Sequence, residues 1–412
     1  MPNSLITPSI IAKEALVQLE NNLVMSNNVH REYKKEFVKV GDTVSIRKPV
    51  KFYAADGATR VNQDVEEANT SITVDARKHV SWGFNSADLT LTVEDYSERY
   101  IKPASIALAN VIDRAGHALY TNVWNHVGTP GTTPANFAAM ALASQRMDEM
   151  AVANDMRKAV LNPAAGYAIA GTATALFMNG ANATAYRKGA IGEIASLETL
   201  RSQNVANHTV GVATGTPLIN GASQNTTYAL SKTTNSQSLI TDGWTNSTTG
   251  ILKAGDVITI AGVYAVNPVP GEGTTGKNVL PYLQEFTVLA DADSGATTGP
   301  ATLTISPAII VSGPYQTVDA APADGAAITV KTGTGGTTYP QNMAFHKNSF
   351  ALVTCPLELP DGVSFKARET HKGISIRVVK QYDIDADTDV IRLDVLFGWK
   401  AIYPDLACRI TG

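Results

Sequence analysis

The chain has 412 residues, enough for two or three domains with a sizeable core, and a soluble, turn-rich composition: 44% hydrophobic, 17% charged, 32 glycines. Its net charge of −4 supplies no field that would draw the whole molecule onto nucleic acid, so contact with DNA is expected to be weak, local and non-specific. No apolar run reaches the ~18 residues of a membrane helix and no basic stretch precedes an apolar block at the N-terminus, which argues against export and membrane insertion; Cys355 and Cys408, in apolar segments without metal or redox spacing, predict buried free thiols in a reducing compartment.

Thr7 and Pro8 read as the cap and first position of a short helix with Ile11, Ala15, Leu19 and Leu23 on its apolar face, an N-terminal arm over residues 1–40. The cluster His30, Arg31, Lys34 and Lys35, broken by Glu32 and Glu36, reads as a solvated face, with a basic partner-binding patch as the alternative. From Val38 the period changes. Thr43 to Ile46 and Ile72 to Val74 alternate as strands do, and Val80, Trp82 and Phe84 repeat every second residue. The polar stretch between them makes 41–85 a long two-stranded arm, and because an isolated hairpin is marginal in water the arm is expected to lie on a neighbouring subunit.

Lys102 to His126 predicts the longest helix, a spine of roughly 36 Å within a segment 86–130. Pro103 suits its first turn, Ile101, Leu108, Ile112, Ala115, Leu119 and Val123 form one stripe, His126 falls in the last turn, and Gly128 is the stop. Thr133 and Pro134 start another helix running to about Ala153, with Phe137, Ala141 and Met147 inward. Lys158 to Leu161 is a short strand ended by Asn162 and Pro163, and the small residues from Ala164 to Ala185 fit a tightly packed helix, completing an α/β block over 131–211.

Composition shifts at about Gln203, and from there to Gly250 the only formal charges are Lys232 and Asp242. Strands return at Val257 to Ile260, Phe286 to Leu289, Ala301 to Ile305 and Ala327 to Lys331, which predicts an all-β barrel or sandwich inserted over 212–338. The α/β pattern resumes over 339–412: AFHKNSFALVTCPL is a helical turn running into a strand, and Ile374, Ile376 and Val378 pair with Val390, Leu393, Val395 and Phe397 as a hairpin with a polar turn. Trp399 to Ile410 closes the fold.

No catalytic constellation survives inspection. GEGTTGK at Gly271 to Lys277 has the spacing of a phosphate loop, but Asn278 replaces the magnesium-binding hydroxyl, Pro268 and Pro270 precede it, and Pro281 blocks the helix that would hold phosphate. Asp383, Asp385, Asp387 and Asp389 open like a calcium loop, yet Thr388 and Asp394 stand where glycine and glutamate are needed, so a charged hairpin turn is favoured. The seven histidines are scattered and no G-x-S-x-G is present. These residues predict a protein that is not an enzyme, with no cofactor and no metal.

TLTVEDYSERYIKPASIALANVID, VLNPAA, GDVITIAGVYAVNP with LQEFTV, and AFHKNSFALV occur in that order over about residues 90 to 400. They resemble the coat proteins of short-tailed double-stranded DNA phages, and most specifically the P22-type family, whose HK97-like fold carries an inserted I-domain. The resemblance implies an α+β fold with an N-arm, an E-loop (41–85), a P-domain with the spine helix, an A-domain and an inserted barrel-like domain. It further implies self-assembly into homo-hexamers and homo-pentamers of an icosahedral head shell around double-stranded DNA, a structural protein of the virion assembled in the host cytoplasm. Because the sequence opens almost at once on the arm, a separate scaffolding protein is the expected assembly partner, with a portal protein at one vertex, a decoration protein as an optional partner and no membrane. The subunit contacts expected from the N-arm and E-loop are Lys34, Lys35, Lys51, Asp56, Arg60, Asp64, Glu66 and Glu67. An encapsulin-like compartment shell and a β-rich receptor-binding or fibre protein are the competing readings.

Overall fold

The computed structural model describes residues 8–31, 43–52, 57–60, 62–63, 65–85, 97–173, 192–269, 277–363, 365–371, 374–383 and 388–412. Thr7, Lys34, Lys35, Asp56, Asp64, Asp385, Asp387, residues 174–185 and the first six positions of GEGTTGK lie outside the described residues. The chain divides into two compact units, one of 1–45, 71–117 and 350–400, the other of 46–70, 118–349 and 401–412.

In the first unit the helix Pro8–Asn22 buries Ile11, Ala15 and Leu19, the expected stripe, and Leu23 beyond its end. Its exit is fixed by one carboxylate. Fully buried Asp113 accepts the backbone N–H groups of Val24 (2.7 Å) and Ser26 (3.0 Å) and the Ser26 hydroxyl (2.5 Å), answering the donors a chain reversal would leave unpaired. Asp113 belongs to the spine helix, Lys102–His117.

That helix is shorter than the sequence predicts. A π turn, Ser97–Ile101, leads into it, and a 3₁₀ turn, Ala118–Asn122, follows, so the α-helical part spans roughly 24 Å rather than 36 Å. Trp399 packs on the last α-helical turn. The Trp399 indole N–H donates to the Ile112 carbonyl (3.1 Å), the acceptor for Gly116, and its ring lies 2.7 Å from where a Gly116 Cβ would stand. His126, expected in the last helical turn, is instead in the strand His126–Val127.

The sheet of this unit is antiparallel around Thr388–Ala401, whose Leu393 faces Val378 of Ile374–Asp383 on one side and Val80 of Ala76–Asn85 on the other. Ile374–Asp383 and Thr388–Ala401 form the predicted hairpin. Ala76–Asn85 does not close the arm as expected from its alternation; it pairs along ten residues of Thr388–Ala401, extending the sheet that buries Ile376, Val378, Leu393 and Val395. The arm hairpin proper is Thr43–Lys48 paired with Ala68–Thr73, the latter alternating buried and exposed.

The second unit holds a six-stranded mixed sheet in the order His126–Val127, Ala407–Ile410, Asn342–His346, Arg157–Leu161, Leu197–Arg201, Glu193–Ile194. The helix Phe137–Glu149 starts at Asn136, whose side chain accepts the Ala139 N–H (3.0 Å), and packs Met140, Ala143 and Met147 into a core shared with Ala159, Leu161, Ala344, Cys408 and Ile410. Phe137, expected inward, is 64% exposed because it stands in the first turn at the edge of that stripe. Asn162 caps Pro163–Ala173 in the same way.

Between these strands the chain leaves and returns through a short ribbon, Asn207–Thr209 paired with Thr338–Pro340. Beyond it lies a second six-stranded sheet, wholly antiparallel, in the order Ile328–Val330, Val257–Val266, Val279–Val288, Ala301–Ser306, Gln237–Trp244, Gly215–Ile219. The Ile219 N–H donates to the Ala326 carbonyl and the Gly325 N–H to the Ile219 carbonyl, both 2.9 Å, so the outer strands nearly close a barrel. Its core is Leu239, Ile258, Ile260, Phe286, Leu303 and Ile305. Gly262, with φ +78°, stands where the register between Val257–Val266 and Val279–Val288 shifts, a bulge that bends the sheet.

Placing a methyl group at residue 116 drives it into the Trp399 ring, which is itself held by its hydrogen bond. Gly116→Ala is expected to destabilise the chain by about 1–3 kcal/mol, read as a lower urea midpoint with unchanged slope.

Candidate functional site

The charged residues that matter most to the second unit are those sequence reading passed over. Asp256, fully buried at the start of Val257–Val266, accepts from the Lys253 N–H (2.7 Å), the Gly211 N–H (3.0 Å) and the Thr332 hydroxyl (3.0 Å), and is bonded to His208 Nε2 (2.8 Å). The other ring nitrogen of His208 meets the Tyr120 hydroxyl at 3.0 Å. Burial alone would raise the Asp256 carboxyl, but the bonds from His208 and the two N–H groups hold it below the usual carboxylate range. A tyrosine–histidine–aspartate chain is familiar from proton relays; here every member is buried and the carboxylate lone pairs are occupied by structural donors.

A second carboxylate, Glu285 on Val279–Val288, accepts the His126 N–H (2.7 Å) and Arg146 Nη1 (2.7 Å); burial pushes it upward, against the pull of Arg146. The Arg146 guanidinium covers the Tyr282 ring at 3.8 Å. Between the two carboxylates runs Arg409, 0% exposed, donating to the Gly255 carbonyl (2.6 Å) and the Thr287 hydroxyl (3.2 Å) with its guanidinium 5.2 Å from the Tyr120 ring centre. Burial lowers its pKa to about 10. The strand bearing Arg409 belongs to the mixed sheet, whereas Asp256, Thr287 and Glu285 belong to the barrel. The arrangement is therefore an anchor that holds the inserted barrel to the body by polar groups that cannot be left unpaired.

The arm has its own seat. Tyr315, stacked on Tyr228 with ring centres 3.4 Å apart, accepts the Lys51 N–H (3.0 Å) and donates to the Glu66 carbonyl (3.3 Å). The stretch connecting the two arm strands thus touches the inserted segment of its own chain through Lys51 and Glu66. Of the predicted contact residues, Lys51, Arg60 and Glu67 are exposed and Glu66 is half-buried. Glu67 pairs with Arg47 at 3.5 Å with both side chains largely in solvent.

The remaining motifs resolve into structure. In the first unit Asp394, weighed as the end of a calcium loop, is buried and bonded by Arg377 (2.6 Å) and Arg392 (2.8 Å); burial opposes its ionisation but these arginines keep its carboxyl low. Asp389 pairs with Lys380 at 2.9 Å. Among the described residues no group of three His, Cys, Asp or Glu is placed to hold a metal ion. Both cysteines are free and buried, and burial raises the Cys408 thiol to about 12. No described helix is long and apolar enough to cross a membrane.

Two stability experiments follow from this geometry. Asp256→Ala strips acceptors from His208, Thr332 and two backbone N–H groups at once, and is expected to cost about 3–5 kcal/mol in urea unfolding. His126 is held down to about 3 by burial first, then by the charges of Arg409, Lys331 and Arg146. Its unfolded value is near 6.5, so the stability of the neutral ring is fully present above that pH and is lost as pH falls from about 6.5 toward 3, at roughly 1.4 kcal/mol per unit. His126→Gln is expected to flatten the fall in stability between pH 7 and pH 5, with His117, lowered to about 4 by burial, and His346, also lowered by burial, still contributing.

The sequence model of the family described as "P22 coat protein - gene protein 5" matches residues 3–412. The major capsid protein of Acyrthosiphon pisum secondary endosymbiont phage 1 is 22% identical over 416 aligned residues, covering 98% of this chain and 97% of that protein. Among solved structures, that of Mycobacterium phage Che8 aligns with a TM-score of 0.47 at 13% identity (94% of this chain, 90% of that chain). The capsid of Ralstonia phage GP4 aligns at 0.44 and 9% identity (94% and 87%).

Proposed function

This chain belongs to the P22 coat protein family and is a phage major capsid protein, and from that premise we propose how its parts share the building of the head. The family match across almost the whole sequence is the observation that carries the reading, and it favours neither a compartment shell nor a fibre. Copies assemble through homo-hexamers and homo-pentamers into an icosahedral shell in the host cytoplasm, with a separate scaffolding protein, a portal protein at one vertex and packaged DNA touching the inner wall without sequence preference. A slightly acidic chain suits a wall that does not adhere to its contents.

The arm hairpin, Thr43–Lys48 with Ala68–Thr73 and the stretch between them, and the N-terminal arm over 1–40 supply the subunit contacts, through Lys34, Lys35, Lys51, Asp56, Arg60, Asp64, Glu66 and Glu67. Support comes from the exposure of Lys51, Arg60 and Glu67, and from the Arg47–Glu67 pair, which as a solvent-exposed ion pair is worth about 0–1 kcal/mol and can exchange partners cheaply. Weak contacts suffice, because each is repeated around every subunit and closure makes them cooperative.

Negative-stain microscopy of the chain co-expressed with its scaffolding partner is expected to show closed shells. The double charge reversal Arg60→Glu with Glu67→Lys is expected to leave monomer stability within about 0.5 kcal/mol while lowering shell yield severalfold. Monomers or trimeric rods from the unaltered chain would sink the reading.

A further inference from the structure

The second unit holds a cavity of about 180 Å³ with four lysines, Lys48, Lys51, Lys232 and Lys277, on its lining, against one carboxylate, Asp405. A single water needs only about 10–15 Å³ on a comparable measure, so the space accepts a group well beyond one solvent molecule. Lys277 is 8% exposed, and its ammonium, with three protons to donate, makes one described hydrogen bond, to the Gln316 carbonyl at 3.0 Å. Among the described residues neither Lys277, Lys51 nor Lys232 forms an ion pair. Burial first, and then the nearby charge of Lys51, lowers Lys277 to about 7. The stacked rings of Tyr228 and Tyr315 contribute an apolar part of its lining.

We propose that this cavity binds an oxyanion, a phosphate or carboxylate group, among the ammonium groups of Lys51, Lys232 and Lys277. Such a group supplies the acceptors that the buried ammonium lacks and the negative charge that the cluster lacks. Lys48 ends the first arm strand and Lys51 follows it, while Lys232 and Lys277 belong to the inserted domain, so a bound oxyanion ties the stretch connecting the arm strands to its seat beside Tyr315. The inference does not depend on the coat reading, since it concerns the unassembled chain.

The test is calorimetric titration of the unassembled full-length chain with sodium pyrophosphate and, separately, with citrate, at constant ionic strength and with sodium chloride as control. Saturable one-to-one binding of either is expected, weakened roughly tenfold or more by Lys277→Met and by Lys232→Gln, and unchanged by Lys13→Gln on the exposed face of the N-terminal helix. The tighter of the two ligands identifies the phosphate or carboxylate class. Lys232→Gln, at a half-buried position, keeps the test usable should Lys277→Met fail to fold. Binding of neither ligand, or binding that both cavity substitutions leave intact, overturns the proposal.

Discussion

Charge taken out of water has to be answered where it lies, and that requirement organises the larger unit. Asp256 and Glu285 come from the barrel; Arg409, Arg146 and the His126 N–H come from the mixed sheet and its helix. An apolar contact of equal area would tolerate sliding. Directed bonds to a buried guanidinium do not, because any shift leaves a donor or acceptor stranded in a medium of low dielectric. The barrel is thereby held in one register on the body, which is a sensible demand on a protein whose copies must all present the same surfaces.

Much of the fold could be read from residue order because burial writes itself locally. Ile11, Ala15, Leu19 and Leu23 mark the first helix; Val257, Phe286 and Leu303 mark barrel strands; Ile376 and Leu393 mark the hairpin of the smaller unit. What failed to show depends on partners distant in the chain. Trp399 packs on the last α-helical turn of the spine, and nothing between Lys102 and His126 announces an indole. The alternation of Val80 and Trp82 identifies a strand but not its neighbour, so Ala76–Asn85 was assigned to the arm instead of the sheet.

The anchor was invisible for a related reason. Its three strand-borne charges, Asp256, Glu285 and Arg409, are each a lone charge in an apolar run, GDVITI, LQEFTV and ACRITG, and a lone charge is normally taken as facing solvent. The available signal was the incongruity itself: a strand otherwise buried on both faces has no solvent side for a charge to face. Tyr315, which seats the arm, offered no signal, since neither its spacing nor its neighbours distinguish it from other loop tyrosines.

The ribbon of Asn207–Thr209 and Thr338–Pro340 brings the two ends of the barrel segment side by side, with the Thr209 and Thr338 hydroxyls 2.8 Å apart. A segment whose ends are neighbours can be gained or lost in evolution by joining two adjacent points, without rethreading the chain around it. The body then needs only a tight turn where a whole domain had been, and lineages bearing or lacking the domain can share one architecture.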